Sequence, residues 1–219
     1  MKQPHIDFWL KEFEHFTTAI VANGEVPSSE LSIRLLGNMK RVVCCDGALQ
    51  KLLSINIIPD VVVGDGDSID EEELLRYKIP YHADKSEEYN DLQKALKHCL
   101  SNGYNDILLF GCGGLREDHF IANLSILAMY SKEMHLTMLT EHGVFNVLRC
   151  TSTFSSLPGM QVSVFARSPH TKLTFTGLKY PVNDRSFNWL WEASLNEAAG
   201  EEFIVEASDD EPVVVYRAL

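Results

Sequence analysis

One stretch decides the fold that we predict, Val61-Val62-Val63-Gly64-Asp65-Gly66-Asp67-Ser68, which passes from three β-branched residues to two carboxylates. A run of β-branched residues predicts a buried strand, because these side chains pack well on the pleated surface of a sheet. The two aspartates then lie at the end of that strand. Because a single turn does not require two aspartates, we interpret Asp65 and Asp67 as functional side chains.

The composition indicates a soluble globular protein. The chain has 219 residues, of which 45% are hydrophobic and 23% charged, and its formal net charge is −12. This negative charge argues against nucleic-acid binding, since phosphate recognition needs a basic surface. No apolar run approaches the roughly 18 residues that a membrane span needs. The amphipathic N-terminal segment carries acidic residues and reads as neither a signal nor a transit peptide, so we expect a cytoplasmic protein.

Two different patterns divide the chain. Up to about residue 140, short apolar strands alternate with helical patterns, which implies a mainly parallel sheet covered by helices. Beyond that point, turn residues separate strand-like segments and no clear helix intervenes, which predicts an antiparallel β-sandwich or barrel. We therefore predict an α/β domain over residues 1–142 and an all-β domain over residues 143–219.

Acidic residues follow strand ends or open helices throughout the α/β half. Asp46 follows the second predicted strand, Asp65 and Asp67 follow the third, and Asp91 and Asp118 each open a helix. The carboxyl ends of parallel strands share one edge of the sheet, so we expect all of these except Asp91 to converge there. Asp91 and Asp118 have an alternative interpretation as helix caps.

Such a cluster of carboxylates indicates a divalent cation. Two carboxylates about 4 Å apart repel by about 4 kcal/mol at an effective dielectric constant near 20. Mg²⁺ removes that repulsion and prefers oxygen ligands. On extended chain, residues two apart lie on the same side, about 6.6 Å apart. Asp65 and Asp67 could therefore share a metal ion if the backbone at Gly64 and Gly66 curls.

A glycine-bearing loop joins the fourth strand to the next helix. It runs from Gly111 through Gly113 and Gly114 to His119 and matches neither a Walker loop nor a dinucleotide fingerprint. Its backbone N–H groups could face phosphate oxygens, aided by the helix dipole. Arg116 could make paired hydrogen bonds to a phosphate, and His119 is either a base or a structural residue of the first helical turn.

The ordered set of motifs resembles the thiamin pyrophosphokinase family over nearly the whole chain. The matching segments are Cys45-Asp46-Gly47-Ala48, Pro59–Ser68, Asn90-Asp91, Gly114–His119 with Ala122-Asn123-Leu124, Gly177-Leu178-Lys179-Tyr180-Pro181 and Ser194-Leu195-Asn196-Glu197. Three features depart from the family pattern. Leu115 replaces a glycine, Asn90 replaces a threonine, and the stretch 84–89 is longer than usual, so that Asp84 and Glu88 both remain candidates for an expected acid.

The resemblance implies an N-terminal domain that binds ATP and Mg²⁺, a C-terminal β-sandwich, and a homodimer that shares its thiamine sites. It assigns Mg²⁺ to Asp65, Asp67 and Asp91, and adds Asp46, Arg116 and Asp118 as catalytic residues, with Lys85 as a further possible cation. The implied nucleotide-binding residues are Asn23, Gly47, Gly113, Gly114, His119 and Asn123. The implied thiamine-binding residues are Trp189, Trp191, Ser194 and Asn196.

The reaction that the resemblance implies is transfer of diphosphate from ATP to the hydroxyl of thiamine, with release of AMP. An alternative enzyme reading starts from the same Asp-x-Asp segment, which also resembles the entrance of haloacid-dehalogenase-type phosphatases. A second alternative is a non-enzymatic nucleotide-sensing module with a β-type dimerisation domain. Partners are expected to be the small molecules thiamine and ATP, with neither nucleic acid nor membrane.

Overall fold

The computed structural model describes residues 4–219, and the chain divides into two compact units between Glu141 and His142. Across the described residues, every helix is too short or too polar to traverse a lipid bilayer. Among the residues that the structure describes, the first unit contains six α-helices, six strands and one 3-10 turn, and the second is built from β-strands and one 3-10 turn. This organisation confirms the predicted fold class of an α/β unit followed by a β-sandwich.

The elements of the first unit alternate along the chain. The helices are α1 (Pro4–Glu12), α2 (Glu30–Asn38), α3 (Leu49–Ser54), α4 (Glu71–Tyr77), α5 (Asp91–Ser101) and α6 (Glu117–Tyr130). The strands are β1 (Thr18–Val21), β2 (Arg41–Cys45), β3 (Val61–Gly64), β4 (Tyr81–Ala83), β5 (Asp106–Phe110) and β6 (His135–Leu139). A 3-10 turn, Asp46–Ala48, links β2 to α3.

The six strands of this unit pair in the order β6-β5-β1-β2-β3-β4, and every pair is parallel. The inner strands are buried along almost their whole length, as expected for parallel strands enclosed on both faces. The chain leaves β1 toward β2 on one side and later returns to place β5 on the other side. The carboxyl ends of β1 and β5 therefore flank a topological switch point, where open α/β sheets usually bind their ligands.

Helix α5 fixes its own start with a capping box. The Asn90 side chain accepts a hydrogen bond from the Gln93 N–H at 2.9 Å, and the Gln93 side chain accepts one from the Asn90 N–H at 3.5 Å. Its apolar face is buried against β1, β2 and β3 through Leu92, Ala95, Leu96 and Cys99. Asp91 is the first residue of this helix, so the cap and the packing together fix its position.

The second unit consists of two antiparallel sheets. Its strands are β7 (Gly143–Leu148), β8 (Thr151–Ser155), β9 (Gln161–Ala166), β10 (Lys172–Thr176), β11 (Val182–Ser186), β12 (Asn196–Glu197), β13 (Glu202–Ala207) and β14 (Val213–Ala218). One sheet has the order β12-β9-β14-β7 and the other β11-β10-β13-β8. Alternating residues such as Val162, Val215, Leu173 and Val205 are fully buried, which is typical of a sandwich core. A 3-10 turn, Leu190–Ala193, precedes β12.

Candidate active site

Three carboxylates converge at the carboxyl ends of β2 and β3. Asp46, Asp65 and Asp91 each place one oxygen within 4.8 Å of the others. Asp46 opens the turn after β2, Asp65 follows β3, and Asp91 begins α5. We call these three residues the carboxylate triad.

Asp46 is held rigidly from several directions. It is only 3% exposed, its Oδ1 accepts a hydrogen bond from the Gly47 N–H at 2.6 Å, and its Oδ2 accepts one from the Gly66 N–H at 3.2 Å. A Cβ atom at position 64 would lie 2.6 Å from the same Oδ2, which is closer than packed atoms approach. Glycine at position 64 is therefore required for Asp46 to reach the triad.

The electrostatics of the triad reflect the crowding of like charges. Burial raises the pKa of Asp46, and the charge of Asp91 raises it further against the lowering effect of the two backbone hydrogen bonds. In contrast, a hydrogen bond from Lys94 lowers the pKa of Asp65. The two aspartates therefore differ in protonation behaviour because one is enclosed and the other has a cationic neighbour.

Lys94 is a buried cation inside this acidic cluster, and the sequence did not reveal it. The residue is 3% exposed, and its Nζ lies 3.0 Å from Asp65 Oδ2 and 3.3 Å from Asp91 Oδ1. Burial by itself lowers the pKa of Lys94, but the hydrogen bonds to the two carboxylates outweigh that effect and the net shift is upward. The available signal was the spacing of Asp91 and Lys94, which places them one helical turn apart.

The triad fits a hard divalent cation. Its donors are three carboxylate oxygens from separate segments, the ligand type that Mg²⁺ prefers, and Asp65 and Asp91 are partly exposed, which leaves room for water and substrate oxygens. We assigned the metal from sequence to Asp65, Asp67 and Asp91, whereas the triad contains Asp46 where we expected Asp67. Asp67 is exposed, and its N–H donates a hydrogen bond to Asp65 Oδ1 at 3.2 Å, so its role as a ligand stays a prediction.

The expected convergence of acidic residues is thus partial, because Asp67 and Asp118 lie outside the triad. Asp91, which we did not expect at this edge from the order of the strands, lies inside it. The surroundings of Asp118 are different. At the start of α6 it forms a two-point ion pair with Arg116, in which Asp118 Oδ2 lies 2.6 Å from Arg116 Nη2 and Asp118 Oδ1 lies 3.1 Å from Arg116 Nε. This pair lowers the pKa of Asp118. Asp118 also accepts a hydrogen bond from the His119 N–H at 3.0 Å, and the His119 side chain is exposed.

The segment after β4 borders the same region. The Asp84 N–H donates a hydrogen bond to the Gly64 carbonyl oxygen at 2.8 Å, and the Tyr81 hydroxyl donates to the same oxygen at 3.0 Å. Glu88 is exposed, with its N–H bonded to the Ser86 hydroxyl. Of the two candidate acids in this segment, Asp84 is therefore the one bonded directly to the end of β3.

The loops after β1 and β5 are joined at the topological switch point. The Gly24 N–H donates a hydrogen bond to the Gly111 carbonyl oxygen at 2.6 Å, and the Glu25 N–H donates to the Gly113 carbonyl oxygen at 2.7 Å. We call these two joined segments the switch-point loops. Gly114 lies against the Glu25 side chain, so the predicted phosphate-binding glycines are supported by the loop after β1.

Lys51 is a second supporting residue that the sequence did not reveal. Its Nζ donates hydrogen bonds to the Asn23 carbonyl oxygen at 2.9 Å, to Asn23 Oδ1 at 2.6 Å and to the Gly24 carbonyl oxygen at 2.7 Å. Gly47 lies against the Asn23 side-chain amide. The predicted nucleotide-binding residues Asn23 and Gly47 are therefore neighbours, and Lys51 fixes the turn that carries Asn23.

The side chain of Asn123 supports the glycine-bearing loop after β5. It is largely buried, and its Nδ2 donates a hydrogen bond to the Cys112 carbonyl oxygen at 2.8 Å. Gly113 lies against the ring of Phe120, one turn earlier in α6. We predicted that Asn123 binds the nucleotide, and this role stays a prediction. In the structure its side-chain amide donates a hydrogen bond to the backbone of the glycine-bearing loop.

In the second unit, two indole rings lie on the surface of the loop before β12. Trp189 is 69% exposed and Trp191 is 71% exposed. The Glu192 carboxylate accepts hydrogen bonds from the Asn188 N–H at 2.6 Å and the Trp189 N–H at 2.9 Å, which holds the 3-10 turn in shape. Other exposed large side chains of this unit include Tyr180, Leu190 and Leu195. Exposed apolar clusters of this kind often mark binding surfaces.

The polar residues that follow are bonded within the unit. The Ser194 hydroxyl donates to the Trp191 carbonyl oxygen at 2.7 Å. Asn196 is buried, its Oδ1 accepts from the Tyr180 N–H at 3.0 Å, and its Nδ2 donates to the Tyr180 carbonyl oxygen at 2.8 Å. The predicted contacts of Ser194 and Asn196 with thiamine stay predictions, and the observed bonds show that both residues shape this loop.

Fold and site together define a class of protein in which an α/β unit with an acidic site is followed by a β-sandwich unit. Two family models match the chain in that order, thiamin pyrophosphokinase, catalytic domain, over residues 33–138 and thiamin pyrophosphokinase, substrate-binding domain, over residues 143–216. The chain belongs to the thiamin pyrophosphokinase family. The family resemblance that we drew from the motifs is thereby confirmed, and the phosphatase alternative gains no support.

Individual relatives agree with this membership. The chain is 31% identical over 151 residues to thiamine pyrophosphokinase from Bacillus subtilis (strain 168), an alignment that covers 61% of this chain and 66% of that protein. The crystal structure of the Bacillus subtilis enzyme has a TM-score of 0.77 at 22% identity, covering 92% of this chain and 98% of that one. Thiamin pyrophosphokinase from Candida albicans has a TM-score of 0.79 at 19% identity, covering 96% and 91% respectively. The structural likenesses establish the fold.

Proposed function

We propose that this protein is a thiamine diphosphokinase that transfers a diphosphate group from ATP to thiamine with Mg²⁺, giving thiamine diphosphate and AMP. The observation that carries the proposal is the carboxylate triad beside the switch-point loops. Family membership, both domains included, supports the substrate pair. A homodimer and a cytoplasmic location remain expectations from the sequence.

In this reaction the hydroxyethyl oxygen of thiamine attacks the β-phosphorus of ATP. A bond forms between that oxygen and Pβ, and the bond between Pβ and the oxygen bridging to Pα breaks, so that AMP leaves with the bridging oxygen. The hydroxyl proton is released to solvent or to a nearby base. Catalysis of such phosphoryl-type transfer depends mainly on positioning and on charge neutralisation.

The triad is the proposed metal site, with Asp67 as a further candidate ligand from the sequence. Bound Mg²⁺ would supply positive charge that offsets the polyphosphate and the departing AMP. Asp46 enters this arrangement preorganised, because two backbone N–H groups already hold its carboxylate. Asp91 is likewise fixed by the capped start of α5.

The switch-point loops are the proposed phosphate cradle. Gly113 and Gly114 precede Arg116, the N-cap of α6, and the dipole of that helix favours negative charge near its start. Arg116 is exposed and bonded to Asp118 without substrate. We propose that the Arg116 guanidinium group leaves the Asp118 carboxylate and binds a phosphate oxygen when ATP binds. Until ATP binds, Asp118 keeps the Arg116 side chain in place.

The loop before β12 that carries Trp189 and Trp191, which we call the aromatic loop, is the proposed thiamine-binding element. Thiamine carries a cationic thiazolium ring and a flat pyrimidine, and both can stack on an indole, with cation–π attraction worth about 0.5–2 kcal/mol. Trp189 and Trp191 are exposed and available for such contact. A second copy of the chain that covers this loop would also remove its apolar surface from water.

A direct assay tests the proposal. Purified protein is incubated with ATP, Mg²⁺ and thiamine, and nucleotides and thiamine esters are separated by chromatography. We expect equal amounts of AMP and thiamine diphosphate, no product in the presence of EDTA, and roughly a thousandfold slower product formation with the Asp65→Asn variant. Release of inorganic phosphate from a monoester would instead favour the phosphatase alternative. ATP binding without AMP formation would favour the sensing alternative. Either result would refute the proposed activity.

A further inference from the structure

We propose that Lys94 is a positioning residue that holds Asp65 to Asp91 while the site is without metal and that keeps the affinity for a lone divalent ion low. The first part depends only on the geometry, and the second part rests on the proposed function. Lys94 is not part of the metal-binding set that we assigned from sequence.

The position of Lys94 is fixed by its helix. Its neighbours Ala95 and Leu96 have no exposed surface, and α5 packs against three strands of the sheet. The ammonium group therefore cannot retreat to solvent as a surface lysine would. It contacts Asp91 on its own helix and Asp65 on the loop after β3, so it joins two segments that are distant in sequence.

The charge of this group is needed where it lies. Three carboxylates within 4.8 Å repel one another strongly in a partly enclosed site. Lys94 offsets one of the three charges at hydrogen-bonding distance from two of them. Its ammonium thus has the role of an internal counter-ion that allows the triad to stay assembled before any metal arrives.

The same charge opposes a second cation. A divalent ion bound by Asp65 and Asp91 would lie near the ammonium group, and two cations at so short a distance repel each other. Metal binding is then favoured when the polyphosphate of the substrate adds negative charge. We infer that Lys94 couples the arrival of the metal ion to the arrival of ATP.

The first test measures thermal unfolding in EDTA as a double-mutant cycle. Lys94→Met is expected to lower the Tm by roughly 5 °C, and the same change made in an Asp65→Asn, Asp91→Asn background is expected to lower it by less than half as much, or to raise it. Lys97→Met is the matched control, because Lys97 lies on the same helix but is exposed, with its ammonium over the Tyr89 ring. Equal losses in both backgrounds would show that Lys94 contributes only packing, and would overturn the first part.

The second test measures Mg²⁺ binding by calorimetry without nucleotide. Lys94→Met is expected to bind Mg²⁺ about tenfold or more tightly than the natural protein, because a repelling charge has been removed. Unchanged or weaker binding would overturn the second part. If the natural protein binds no Mg²⁺ even beside a non-hydrolysable ATP analogue, the proposed metal role fails, while the unfolding cycle in EDTA still decides the positioning role of Lys94.

Discussion

The carboxyl group of Asp46 lies against the Cα of Gly64, so closely that an added Cβ would be 2.6 Å from Asp46 Oδ2. This contact joins the end of β3 to the turn after β2 and sets the separation between two members of the triad. The requirement for glycine at position 64 is therefore a requirement of the site, because any side chain there must displace Asp46.

Gly64→Ala should reduce AMP formation by at least about a hundredfold, because an ångström of misplacement at a catalytic centre costs that much. The matched control is Gly37→Ala, since Gly37 lies in α2 with open space around its Cα and alanine there should stabilise the helix by about 0.5–1 kcal/mol. Turnover and Tm of both variants check this prediction. Normal turnover of Gly64→Ala would show that Asp46 need not occupy its observed position.

Asp65→Asn and Asp67→Asn test the metal assignment. We expect each to lower turnover by roughly a thousandfold, since loss of a metal ligand removes several kcal/mol of transition-state stabilisation. The fold should remain intact, because both side chains are partly or fully exposed. Steady-state AMP production over a Mg²⁺ series is the measurement. Near-normal turnover of Asp67→Asn alone would remove Asp67 from the ligand set and leave Asp46 as the third ligand.

Asn90→Ala should weaken both stability and the site. Loss of the capping box costs about 1 kcal/mol, which corresponds to a Tm lower by roughly 2–4 °C, and it loosens the start of α5 where Asp91 lies. Ser29→Ala removes the corresponding cap of α2 and serves as the control, with a similar loss of Tm. Only Asn90→Ala should raise the Mg²⁺ concentration required for half-maximal activity. If both variants require the same Mg²⁺ concentration, the cap of α5 has no effect on metal binding.

Trp191→Ala should raise the KM for thiamine about 2- to 30-fold, the loss expected for one cation–π contact, with the KM for ATP almost unchanged. Stability should not fall, since the indole is mostly exposed. Leu195→Ala, another exposed apolar residue of the same loop, is the control for general effects on this surface. An unchanged thiamine KM would exclude Trp191 from the substrate site and turn attention to Trp189.

Much of the fold could be predicted because its inner strands are continuous apolar runs. The composition alone predicts strands at segments such as Val61–Gly64 and Asp106–Phe110. Strands β4, β8 and β11 were not predicted, because their residues are mostly exposed and carry no clear apolar alternation. Strand β12 was not predicted either, because it has only two residues. Each of them is an edge strand whose existence depends on pairing with a neighbour rather than on its own sequence.

The acidic character of the site could be predicted from the sequence, but the three residues that form the triad could not. We expected Asp65 and Asp67 to share a metal ion if the backbone curled at Gly64 and Gly66. Gly66 has a φ of +98°, so the chain does turn there, but the carboxylate that lies close to Asp65 and Asp91 is that of Asp46. Lys94 was missed for a different reason. A lysine in a helix is usually exposed. Lys94 is buried because the loop after β3 packs against α5. This contact joins segments distant in sequence, so no local sequence pattern predicts it.

The environments of the three tryptophans give the protein a built-in pair of optical reporters. Trp9 is enclosed in the first unit next to Phe13, whereas Trp189 and Trp191 face water in the second. Indole fluorescence shifts to longer wavelength in water, so the red part of the emission arises from the second unit and the blue part from the first. Quenching confined to the red part would then report a ligand reaching the aromatic loop, while a change confined to the blue part would report loosening of the α/β core.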